Sequence, residues 1–246
     1  MKWIAFLCIS LTALFSLPGI AQGAENRREA AAGSKIEKYH YEGFPTGHPA
    51  SQKDFMEMEF MEADGGIEYH CKVISPDSLE EISIQMDKKA RLVSGIKSAR
   101  QSPDEPLQRE RIWRDQQKVV VERGTESGIK TKEHRLPRDK ELAVDGSLLA
   151  LLRFFPFDTG KKWDLFMVDF SGYSITVTVS QEGREKITVP AGEFECYRLV
   201  VVVNLPLLKP KITYWLRTRK PNFLVKHVGK RGPFTPSYTT SLVSFE

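Results

Sequence analysis

The chain has 246 residues, with 36 Lys or Arg against 32 Asp or Glu and a formal net charge of +4. That length fits one domain, which buries roughly 70% of its unfolded surface and so folds without needing a metal or a disulfide. A charge this small names no partner by itself.

The first element is an export signal. Lys2 precedes an apolar stretch from Trp3 to Leu17, broken only by Ser10, Thr12 and Ser16. Pro18-Gly19 ends it, and small residues follow at Ala21, Gly23 and Ala24. This is the layout of a cleaved secretory peptide, expected over residues 1–23. The stretch is shorter than the ~20 residues a spanning helix needs. Cys8 follows bulky Leu7 inside the apolar run, which argues against a lipid-attachment site. No later stretch is long and apolar enough to span, so the mature protein is expected to be soluble. Residues 24–52 read as a flexible leader with one strand at Ile36 to Tyr41, and residues 53–246 as a single domain.

Period-two alternation then dominates. Met56, Met58 and Phe60 alternate with Glu57 and Glu59. Ala63-Asp64-Gly65-Gly66 turns the chain, and Ile67, Tyr69, Cys71 and Val73 alternate on the way back, a strong hairpin signal. Strands follow at Ile82 to Met86, Arg91 to Lys97, Arg111 to Asp115, Lys118 to Arg123 and Ile129 to Leu136. One segment changes period. Asp145 is placed to cap a helix over Gly146 to Phe154, with Leu148, Leu149, Leu151, Leu152 and Phe155 at helical spacing, and Pro156 stops it. Strands resume at Trp163 to Phe170 and at Tyr173 to Ser180, where Tyr173, Ile175, Val177 and Val179 are expected to face inward. Gln181-Glu182-Gly183-Arg184 reads as a turn into Glu185 to Val189. After Pro190-Ala191-Gly192 come Phe194 to Val203, Ile212 to Thr218, Phe223 to Val228 and Tyr238 to Phe245. About a dozen sequential strands and one helix predict an all-β fold. It is an antiparallel meander curling into an open or closed β-barrel-like roll, with one short apolar helix plugging a mouth or lining the concave face.

Several pieces carry a family resemblance. They are Asp145-Gly146-Ser147-Leu148-Leu149 running to Leu152-Arg153-Phe154-Phe155-Pro156, Gly160, the turn Val189-Pro190-Ala191-Gly192-Glu193-Phe194, and Tyr214-Trp215-Leu216 ahead of Phe223-Leu224-Val225-Lys226. In this order and spacing they resemble the bacterial exported proteins of the domain of unknown function 3108 family. The resemblance implies a periplasmic protein with a curved β-barrel-like sheet and no assigned activity. The architecture also looks like the open barrels of periplasmic lipoprotein carriers, an analogy of fold only.

The chain offers little catalytic chemistry. The histidines His40, His48, His70, His134 and His227 show no metal-ligand spacing, and neither a Gly-x-Ser-x-Gly elbow nor a phosphate-cradling loop is present. Glu193 and Glu195 share one face of a strand but read as solvated carboxylates. We therefore expect a non-enzyme with no cofactor and no metal. Cys71 and Cys196 remain after export, where an oxidising compartment allows a disulfide; two buried thiols are the equal alternative.

Binding is the better prospect. No acidic residue stands between Glu195 and Glu246, while Trp215, Arg217, Arg219 and Lys220 cluster in that span. Such a face suits an anionic headgroup or an acidic envelope partner, although a solvated outer face carries the same pattern. An apolar concavity lined by Met56, Met58, Met86 and Met167 suits an acyl chain, unless side chains fill it. The expected function is binding of an apolar or lipid-like cell-envelope ligand. The alternative is a structural or protein-interaction module using the basic C-terminal face. Nucleic acid is not an expected partner of an exported chain.

Overall fold

The computed structural model describes residues 35–45, 53–63, 65–102, 104–125, 128–144, 146–207, 209–230 and 237–246. The signal peptide, Cys8, His48, Asp145 and most of the leader lie outside them. The alternating sequence folds as strands almost throughout. The first arm of the fold comprises β1 (Lys35–Pro45), β2 (Asp54–Ala63), β3 (Gly66–Ile74), β4 (Leu79–Met86), β5 (Leu92–Arg100), β6 (Gln108–Asp115), β7 (Lys118–Thr125) and β8 (Gly128–Arg135). Then come β9 (Glu141–Val144), helix α1 (Leu148–Leu152), β10 (Trp163–Val168), β11 (Ser174–Val189), β12 (Gly192–Val203), β13 (Lys211–Arg217), β14 (Leu224–Lys230) and β15 (Ser237–Phe245).

All fifteen strands form one sheet in the order β8-β7-β6-β5-β4-β3-β2-β1-β15-β14-β13-β12-β11-β10-β9. Strand β1 is the hinge of that order, pairing with β2 on one side and β15 on the other. The strand expected at Ile36 to Tyr41 within the leader is present, runs over residues 35–45 and lies at the centre of the sheet. The polar Lys35, Lys38 and Glu42 mask an alternation in which Glu37, Tyr39 and Tyr41 point to the core.

Chain length dictates the curl. A flat sheet would hold β8 and β9 about 65 Å apart at ~4.8 Å per strand. Only residues 136–140 connect them, a link that spans about 20 Å at most when fully extended. The sheet must therefore roll up. Near the seam, Nε2 of His134 on β8 lies 3.0 Å from the Gly172 carbonyl, and its ring meets Phe166. No backbone ladder joins β8 to β9 among the described residues, so the roll stays open at its edges. The one parallel pair, β9 with β10, arises because α1 carries the chain across between them.

The interior is filled. Side chains of Tyr41, Ile84, Ile112, Leu165, Leu199 and Leu242 are almost wholly buried, as are Leu152 of α1 and Phe170 of the β10–β11 turn. Gly95 permits the close approach of Ile84 and Ile112, since a Cβ there would lie 2.6 Å from Ile84 Cδ1 and 3.0 Å from Ile112 Cγ2. The methionines expected to line a cavity, Met58 and Met86 among them, are core residues here.

Three local readings change. The helix is shorter than residues 146–154, and its N-cap is Ser147, whose hydroxyl engages the backbone of Val144 instead of capping. Its C-terminal end closes in tight turns as the chain leaves for Pro156. Tyr173 precedes β11 and is about half exposed, under the Lys132 ammonium, so it does not join Val177 and Val179 inside. Residues 181–184 are not a turn: β11 runs unbroken for 16 residues, with a bulge between Gln181 and Gly183. Gly183 takes a φ of 146°, which lets the strand kink while pairing continues.

Candidate functional site

The bulge bends the β11–β12 hairpin, so its tip reaches β15, where the Ala191 N–H donates to the Leu242 carbonyl. The segment after α1 holds the hairpin from another side. Phe157 stacks on Tyr197 at 4.1 Å, and Asp158 accepts hydrogen bonds from Gln181, Arg184 and Tyr197. Those bonds and the Arg184 charge keep the Asp158 carboxyl below its usual range.

A buried ion pair lies at this end of the roll, where β1 begins and β15 ends. Arg153, directly after α1, places Nη2 2.5 Å from Oε2 of Glu37, and each side chain is only 10% exposed. Tyr39 donates its hydroxyl to the same carboxylate oxygen at 2.7 Å, and Lys35 sits 2.7 Å from the other. Burial by itself would raise the Glu37 pKa. Hydrogen bonds from Lys35, Tyr39 and Arg153, with the Arg153 charge, outweigh it and hold the group below its ordinary range. The Arg153 guanidinium also lies 4.0 Å from the centre of the Phe60 ring, a cation–π contact.

Aromatic rings surround the pair. Phe223 lies 5.0 Å from Tyr39 and 5.1 Å from Phe245, and Phe194 packs edge-on to Phe223. This rim is incompletely covered, since Phe245 is 43% exposed; at the same end Phe154 and, on the outer face of β1, Ile36 are 45% and 40% exposed.

The residues singled out from sequence divide between two places. Arg217, at the end of β13, lays its guanidinium 5.2 Å from the Phe223 ring, on the aromatic rim. Arg219 and Lys220 are exposed on the turn that leads to Phe223. None of these three makes a salt bridge among the described residues. Trp215 belongs elsewhere: its indole N–H donates to Glu185 at 2.7 Å, and Lys226 lies 5.6 Å from its ring. Glu182 and Glu185 of β11 also pair with Arg198. The segment free of acids in sequence thus acquires them around Trp215 from β11, two strands away, but among the described residues not around Arg219 and Lys220.

Sequence reasoning missed Glu37 and Arg153. The available signals were an acid in phase with Tyr39 and Tyr41, and one arginine ending an otherwise apolar helical run.

The remaining candidates are dispersed. Glu193 and Glu195 are exposed, with Glu193 held by Lys186 at 3.1 Å. Cys71 and Cys196 are buried thiols on β3 and β12. Burial, with the Glu185 charge adding to it, pushes the Cys196 thiol up to about 12. His70 and His227 meet the hydroxyls of Ser83 and Thr240. Among the described residues, no three His, Cys, Asp or Glu side chains converge as a metal site, and no helix is long and apolar enough to cross a membrane.

No curated relative matches the chain in sequence. A solved structure, that of a candidate lipoprotein from Parabacteroides distasonis ATCC 8503, aligns over 85% of this chain and 94% of its own, at 12% identity and a TM-score of 0.35. The family is settled by sequence instead: residues 101–231, just over half of the chain, match the family described as protein of unknown function DUF3108, and the chain belongs to it.

Proposed function

We propose that this protein is an exported, periplasmic, non-catalytic module that binds an anionic, lipid-like envelope ligand at the aromatic rim. One observation carries the reading: exposed apolar Ile36, Phe154 and Phe245 stand at the same end of the roll as Arg217, Arg219 and Lys220, which lack carboxylate partners among the described residues. The apolar part of the ligand would rest on the rim and its headgroup on the cations. The filled interior favours binding at the rim over binding within the roll. Export rests on the layout of residues 2–24.

Cations near an anionic surface contribute about 1 kcal/mol each, so three contribute about a hundredfold in affinity. Flotation with vesicles of phosphatidylglycerol and phosphatidylcholine should recover the protein. The charge-reversed variant Arg217→Glu/Arg219→Glu/Lys220→Glu should remain unbound while unfolding at the same denaturant concentration. Native mass spectrometry of protein purified from its own envelope should show a lipid-mass adduct. Absence of both the adduct and vesicle binding would sink the proposal. The alternative, a protein-interaction module on the basic C-terminal face, is less favoured because Glu182 and Glu185 offset the cations around Trp215.

A further inference from the structure

The other end of the roll carries a second charged feature. Cross-strand register aligns Lys97 with Glu110, Glu110 with Arg123, and Arg123 with Lys130, across β5 to β8. The row lies on the concave face, two residues along from Gly95, Ile112 and Val121, whose neighbours fill the core. Charges in the row alternate at first. Lys97 lies 2.7 Å from Glu80, and Arg123 Nε lies 3.0 Å from Glu110. At the edge strand the alternation fails, because Lys130 stands directly opposite Arg123. Like charges in directly opposed positions destabilise a sheet pair. Lys132 follows on the same face and adds a third cation, its ammonium 5.0 Å from the Tyr173 ring.

The roll brings the turn of residues 169–173 across this end of β7 and β8. Between them lies a cleft of about 400 Å³ whose lining includes Arg123, Lys130, Lys132 and Ser171. Two carboxylates are near and both are engaged. Glu110 is paired with Arg123, and Asp169 accepts from the Ser171 hydroxyl at 2.8 Å and the Tyr173 N–H at 2.7 Å. A cleft with three cations suits an oxyanion, for which lysine serves as a point charge. Its volume leaves room for a substituent beyond one phosphate group.

We propose that this cleft binds a phosphate-class oxyanion, free or as part of a larger molecule, with Lys130 and Lys132 as its principal charge partners. The ligand would insert between Arg123 and Lys130 and restore the alternation that the row loses at the sheet edge. The site lies at the opposite end of the strands from the aromatic rim and stands independently of the function proposed there.

Backbone amide spectra of the full chain test this at fixed ionic strength, with inorganic phosphate, diphosphate and phosphatidylglycerol vesicles as separate probes. Saturable shifts are expected in β8 and residues 169–173, with diphosphate tighter than phosphate by about tenfold. The variant Lys130→Gln/Lys132→Gln should lose the binding while the rest of its spectrum is unchanged, since both side chains are solvent-exposed. Arg217→Glu/Arg219→Glu should retain it. Binding to the vesicles alone, lost in the lysine variant, supports the site with a lipid headgroup as the source of the phosphate. The proposal is overturned by the absence of saturable shifts with all three probes, by shifts confined to the aromatic rim, or by binding that survives the lysine substitutions.

Discussion

Glu37 and Arg153 are far apart in the chain, yet they pair in an almost dry setting, with Lys35 on the other Glu37 oxygen. Removing Glu37 leaves the buried Arg153 charge without a carboxylate, which costs about 3–5 kcal/mol, whereas removing Arg153 costs less because Lys35 stays 2.7 Å from Glu37. Glu37→Met should therefore lower the denaturant midpoint strongly, and Glu37→Met/Arg153→Met should recover most of the loss. The pH dependence has a definite sign. The folded protein holds Glu37 below its ordinary value of 4.5. The stability contributed by its ionised form is thus fully present above pH 4.5 and is lost as pH falls through the lowered value. The gap between wild type and Glu37→Gln, measured by urea unfolding, should shrink in that acid range. Alternation around Tyr39 and Tyr41 makes the inward position of Glu37 legible in sequence. Its partner is not legible, because nothing local says which element will lie above β1.

Helix α1 has five residues, too few to persist in water without packing. Burial of Leu148, Ala150, Leu151 and Leu152 inside the roll holds it. Leu152→Ala should cost about 2–5 kcal/mol in chemical unfolding, and Leu149→Ala, at a half-buried position, distinctly less. The change from period two to helical spacing made this element readable, and Pro156 marked its end. Residues 181–184 were misread for a physical reason: Gly and polar residues signal a turn, but a bulge within a long strand uses the same composition. Only continued pairing of β11 with β12 separates the two, and that is a property of the partner strand.

The matched family segment, residues 101–231, holds two separate runs of the strand order. It contains β6 to β8 and β9 to β14, and among the described residues no backbone ladder joins these two groups. Their connection runs through β1 to β5 and β15, all outside the segment. A fragment of residues 101–231 should lack a cooperative thermal transition by circular dichroism, while residues 35–246 should show one. Cooperative unfolding of the shorter fragment would contradict this topology. The sequence by itself determined the all-β class, the rolled meander, most strand positions, the single helix and the family. These follow from local periodicity, turn chemistry and short motifs. The tertiary structure alone decided that residues 35–45 sit at the centre of the sheet, that Arg153 meets Glu37, and that Glu185 reaches Trp215 while Arg219 and Lys220 meet no carboxylate among the described residues. Period-two patterning tells which face a side chain occupies. It does not tell which strand lies alongside, and charge pairing depends on that neighbour.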